Sequence, residues 1–113
     1  MKKYATGKRG SFANVVGPGQ EQLVSEYLAH LCKDYSDAMT VIDIAEITGL
    51  NKKSLLRLLK AGHIKSIANS PLYVIPKSYL LEFATTKRFR EIRTSSERFN
   101  NLIKGYVKLQ KQE

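Results

Sequence analysis

Asp43 to Gly62 reads DIAEITGLNKKSLLRLLKAG. Its first half places Ile44, Ala45 and Ile47 on one helical face before Gly49-Leu50 interrupts the pattern. Asn51 follows, and an Asn side chain can accept from the free N–H groups at the start of a helix. Beyond it Leu55, Leu58 and Leu59 recur at helical spacing, which leaves Lys52, Lys53, Ser54, Arg57 and Lys60 for solvent. Ala45 is small enough for two helices to approach closely, and Gly49 tolerates the positive φ of a tight turn. The stretch therefore predicts two short helices joined by a turn, the second cationic and held outward by its leucines. A helix presented in this way can enter a DNA major groove.

Working outward, the charge balance agrees. The chain has 113 residues, enough for one domain with a modest core. Its formal charge of +9 favours a polyanionic partner. From Ile47 to Leu81 there is no carboxylate, yet Lys52, Lys53, Arg57, Lys60, Lys65 and Lys77 all fall there. The acids Glu21, Glu26, Asp34, Asp37, Asp43 and Glu46 precede that span. Such one-sidedness suits a groove-facing surface, although a merely solvated lysine-rich face would look the same.

On the N-terminal side, residues 1–19 hold four basic residues, four glycines, one proline and no acid. They read as a flexible basic arm, either a minor-groove arm using Lys8 and Arg9 or an untethered terminus. Residues 20–36 read as an amphipathic helix, with Leu23, Val24, Tyr27, Leu28, Leu31 and Cys32 repeating at three and four. A polar break over Asp34–Met39 follows, and Thr40 or Asp43 can cap the next helix.

On the C-terminal side, Gly62 can end the cationic helix in a left-handed conformation. Residues 64–75 then offer Ile64 and Ile67, the turn Ala68-Asn69-Ser70-Pro71, and Leu72-Tyr73-Val74-Ile75, the pattern of a small hairpin or wing. Pro76 closes it and introduces a helix with Tyr79, Leu80 and Phe83 on one face. Residues 88–113 read as a basic C-terminal helix, started at Thr94-x-x-Glu97 and striped by Phe99, Leu102, Ile103, Tyr106 and Val107. The fold class expected is mainly α with a small β-hairpin: a winged helix-turn-helix core over 37–87 with additional N- and C-terminal helices.

Thr40 through Ala84 resembles the excisionase-type, MerR-like winged helix-turn-helix family. The residues that carry the resemblance are TVIDIAEITGLNKKSLLRLLKAGHIKSI and then LYVIPKSYLLEF. They hold the Thr-Val opening, the hydrophobic-Ala pair, the Thr-Gly-hydrophobic turn and the polar cap. The apolar-Arg-Leu run to a terminal Gly and the Ile-Pro-helix ending complete the order. The resemblance implies DNA binding with helix 51–61 in the major groove and hairpin 64–75 against an adjacent groove or the backbone. Members include recombination directionality factors of mobile elements and small transcription regulators. This chain departs from the pattern in two places: its wing turn carries no positive charge, and Leu56 stands where an aromatic is common.

The candidate DNA-binding residues are Asn51, Lys52, Lys53, Ser54, Arg57, Lys60 and Lys65. Lys52, Lys53 and Ser54 occupy the first turn, and Arg57 lies one turn beyond Lys53. Arg57 suits either a bidentate contact to guanine or a phosphate. Lys60, Lys65 and, further off, Lys77 suit phosphates. Leu56 either meets a thymine methyl or packs inward, and Tyr73 reads as core or wing packing.

Enzymatic chemistry finds no foothold in the pattern. His30 and His63 have no paired carboxylates, one cysteine cannot build a Cys-rich metal site, and neither a Gly-rich phosphate loop nor HExxH occurs. No cofactor or metal is expected. His63 reads as a surface residue at the helix end, and Cys32 as a small buried apolar residue. Met1-Lys2-Lys3 is not followed by the apolar stretch of a signal peptide, and no apolar run reaches spanning length, so a cytoplasmic protein is expected. Double-stranded DNA is the expected partner, with a second copy of the chain, a recombinase or a relaxase as further partners. The alternative function is a protein–protein interaction module in which helices 20–35 and 95–110 form the working surface.

Overall fold

A computed structural model describes residues 10–68 and 72–111. A 3-10 turn at Phe12–Asn14 precedes α1 (Glu21–Leu31), β1 (Ala38–Met39), α2 (Val41–Thr48) and α3 (Lys52–Lys60). After the wing come β2 (Ile75–Pro76), α4 (Lys77–Ala84), α5 (Lys87–Arg90) and α6 (Glu97–Lys111). The architecture is a winged helix-turn-helix with helices added at both ends, as the residue pattern predicts.

Local chemistry sets the boundaries of α2 and α3. Thr40 accepts from the Asp43 N–H while the Asp43 carboxylate accepts from the Thr40 N–H, a reciprocal capping box. Gly49 ends α2 at φ 80°, where a side chain would be strained. Asn51 Oδ1 accepts from the Ser54 N–H at 2.7 Å and opens α3. At the far end Gly62 takes φ 81°, with its N–H donated to the Leu59 carbonyl and that of His63 to the Leu58 carbonyl. Those two bonds are a Schellman closure.

The wing is pinned at its base, where Ile67 N–H donates to the Val74 carbonyl at 2.9 Å and Val74 N–H to the Ala68 carbonyl at 3.1 Å. Its second strand then changes partner. β2 pairs antiparallel with β1, Met39 opposite Ile75 and Ala38 opposite Pro76. The reading of Asp34–Met39 as a polar break is therefore corrected at its end: Met39 is buried and, with Ala38, forms one strand of the sheet.

The ends of the chain differ most from expectation. A flexible arm over 1–19 is corrected for residues 10–19, because Phe12 and Val16 are core residues and Ser11 Oγ donates to the Arg90 carbonyl at 2.8 Å. The minor-groove reading of Lys8 and Arg9 lies outside the described residues. Helix 20–36 is shorter, ending at Leu31, and Leu23 and Leu31 fall outside its buried stripe. The C-terminal segment from 88 is not one helix. α5 stops at Arg90, an extended stretch bridges Thr94 to Gly10, and α6 starts only at Glu97. Its cap is Ser96 rather than Thr94: Ser96 Oγ accepts from the Phe99 N–H at 3.3 Å and donates to the Gly49 carbonyl at 2.7 Å.

These end segments enclose an aromatic cluster. Phe12 lies 5.5 Å from Phe89, 5.6 Å from Phe99 and 5.8 Å from Tyr106, centroid to centroid. The edge-on geometries among them are favourable for aromatic quadrupoles. Tyr27 on α1 donates to the Leu102 carbonyl at 3.0 Å, tying the first helix to the last. A largely buried ion pair, Arg90–Glu21 at 3.6 Å, ties α1 to α5. Cys32 is fully buried, and burial pushes its thiol above the usual range with Lys77 opposing. No helix among the described residues is long and apolar enough to cross a membrane.

Candidate nucleic-acid interface

α3 sorts its side chains by angle. Leu55, Leu58 and Leu59 are buried, while Lys52, Lys53, Arg57 and Lys60 are exposed. At 100° per residue, Lys53, Arg57 and Lys60 fall on the side of the helix away from the leucines. Ser54 is half-buried on one flank, and Leu56, half-buried on the other, packs against the core. Asn51 is exposed, but its Oδ1 serves the helix cap, so only its amide N–H groups remain for a ligand.

The other predicted phosphate binders separate. Lys65 is exposed beyond α3 and faces Glu82 of α4 at 3.6 Å. Lys77 has its ammonium 3.5 Å from the Lys33 carbonyl after α1. Tyr73 is half-buried against the core. Ile67 and Leu72 of the wing are exposed, at 65% and 78%.

The turn before α3 is held from behind by α6. Ser96 donates to the Gly49 carbonyl, and the Arg98 guanidinium donates to the Glu46 carbonyl. Carbonyls at the end of α2 would otherwise lack partners. A Cβ on Gly49 would stand 2.5 Å from the Phe99 nitrogen and 2.6 Å from the Arg98 Cβ. The turn that joins α2 to α3 thus rests directly on the C-terminal helix.

Beside α3 runs a groove of about 580 Å³. Ser54, Arg57, Ala61 and His63 line one side; Arg88, Arg93 and Thr94 line the other. Sequence reasoning missed Arg88 and Arg93, which sit far from the recognition helix along the chain. The signal available was the basic cluster KRFREIR at 87–93, read only as part of a terminal helix.

This geometry defines a winged helix-turn-helix with a cationic second helix. Residues 38–88 match the model of a helix-turn-helix domain family. No curated protein and no solved structure matches the chain.

Proposed function

We propose that the chain binds double-stranded DNA sequence-specifically, with α3 in the major groove and Lys53, Ser54 and Arg57 toward base edges. Its service would be as an excisionase-like accessory factor for a mobile element or as a small transcription regulator. The observation that carries the reading is the sorting of α3: leucines inward, Lys53, Arg57 and Lys60 outward, no carboxylate on the helix. Lys52, Lys60 and Lys65 would neutralise phosphates, and Asn51 would offer its amide while capping the helix.

The rival reading as a protein-interaction module draws less support. Val24 and Leu28 of α1 and Phe99, Leu102, Ile103 and Tyr106 of α6 are spent on the domain's own core. A recombinase, a relaxase or a second copy would then be a neighbour on DNA rather than the primary ligand.

The test is a duplex selected from a randomised pool, followed by titration of the triple variant K52A/K53A/R57A. Loss of binding with unchanged solution mass and circular dichroism is expected. A variant that binds as the wild type does would overturn the assignment of α3. If about five phosphates are neutralised, log K should fall against log salt with a slope of roughly −4 to −5.

A further inference from the structure

We infer that the groove between α3 and residues 88–94 seats the sugar–phosphate backbone of one DNA strand, with Arg88 and Arg93 as its outer wall. This inference rests on the major-groove assignment of α3. A helix with its side chains is about 10–12 Å across and the major groove is about 12 Å wide, so an inserted helix fills the groove. Whatever flanks that helix at the same level meets the phosphates that border the groove. Residues 88–94 hold that flank.

The chemistry of the lining fits a backbone strand. Arg57 and His63 stand on the α3 side, and Arg88 and Arg93 stand opposite. Ala61 and Ile92, both solvent-accessible, add apolar surface against which deoxyribose can pack. One carboxylate, Glu91, also lines the groove, and its Oε2 faces the Lys87 ammonium at 3.8 Å. The ion pairs Lys65–Glu82, Lys87–Glu91 and Arg90–Glu21 do not engage Arg57 or Arg88.

The outer wall is also held in place. Thr94 exchanges backbone hydrogen bonds with Gly10 at 2.8 and 3.1 Å, Thr86 caps α5, and Ser11 Oγ donates to the Arg90 carbonyl. Arginines fixed on such a frame lose little freedom when they meet phosphates. The wing's one cation, Lys65, faces Glu82, which leaves most of the neutralisation of that strand to this segment. Arg88 closes the matched helix-turn-helix region and Arg93 lies beyond it, so the site is assembled from the domain and its extension.

The experiment compares wild type, R57A and R88Q/R93Q in the full chain, against the selected duplex and an unrelated duplex, across a salt series. R88Q/R93Q should weaken both duplexes alike, on the order of tenfold, and flatten the salt slope by about 2. R57A should instead narrow the preference for the selected site. Neutral methylphosphonates placed along the backbone flanking the α3 site should weaken wild type more than R88Q/R93Q. If R88Q/R93Q disturbs the circular dichroism, R88Q alone should flatten the slope by about 1. Unchanged affinity and slope in the arginine variants, while R57A and K52A/K53A/R57A fail, would overturn the groove and leave α3 standing. A wild type that binds no duplex would overturn both.

Discussion

In α2 and α3 every boundary is set by a residue a few positions away: Thr40 with Asp43, Gly49 alone, Asn51 with Ser54, Gly62 with Leu59. The frame beneath them is assembled from the two ends of the chain, as in the Ser11–Arg90 bond that links residues 79 apart. Phe12, Phe89, Phe99 and Tyr106 meet only once the chain has closed. The division is physical: the local unit shapes the exposed cationic surface proposed to read DNA, and the distant one supplies the buried area that keeps it folded. Changes in the first should move affinity and spare stability; changes in the second should do the reverse.

The sharpest way to break that division is Phe12→Ala. Phe12 is fully buried at the centre of the aromatic cluster, in a segment whose composition suggests a loose arm. Truncating a buried Phe costs about 3–5 kcal/mol. Urea denaturation should show a loss of that size. An unchanged midpoint would mean that residues 10–16 are dispensable and that the domain begins later. Gly49→Ala comes next, because it joins the two regions. A left-handed backbone at a non-glycine costs about 1–3 kcal/mol, and crowding against Phe99 and Arg98 adds to it. A total of about 2–4 kcal/mol is expected by the same measurement. A cost below about 1 kcal/mol would show that α6 does not press on the turn.

The sequence discloses these regions unequally, for the same reason. Caps, glycines and leucine spacing are local signals, so the helix pair, the wing and the exposed cations of α3 can be read directly from Thr40 to Ile75. Phe12 carries no such signal: one aromatic among glycines gives no period, and its partners are chosen by tertiary contact. Thr94-x-x-Glu97 has capping-box spacing, yet Ser96 wins because its hydroxyl also reaches the Gly49 carbonyl. Lys65 keeps its place on the surface, but its facing acid, Glu82, is visible only in the folded chain. Arg88 and Arg93 stay hidden as groove residues because nothing in their spacing points to α3.

On the reading surface, Arg57→Ala should leave stability within about 0.5 kcal/mol, as expected for an exposed side chain free of ion pairs among the described residues. If Arg57 reads a base, binding to the selected duplex should weaken by about 1–3 kcal/mol and lose preference at one position. A uniform loss across sequences would instead assign Arg57 to phosphate. Stability and affinity measured on the same preparation test the division directly.

The smallest effect concerns Glu82. Its carboxylate faces Lys65 at 3.6 Å, with both side chains more than half exposed. Such a pair contributes at most about 1 kcal/mol and often nothing measurable. Glu82→Gln should therefore change the unfolding free energy measured in urea by less than about 0.5 kcal/mol. Its effect on DNA has the opposite sign. Removing the acid releases Lys65 and deletes a charge that repels phosphate, so duplex affinity should rise by about two- to threefold at low salt. The gain should fade as salt rises, and it should be equal for selected and unrelated duplexes, since a phosphate contact carries no sequence information. Lys65→Gln should move affinity the other way under the same conditions. If neither substitution changes binding at low salt, Lys65 does not reach the backbone, and the cationic surface ends with α3 and the Arg88–Arg93 wall.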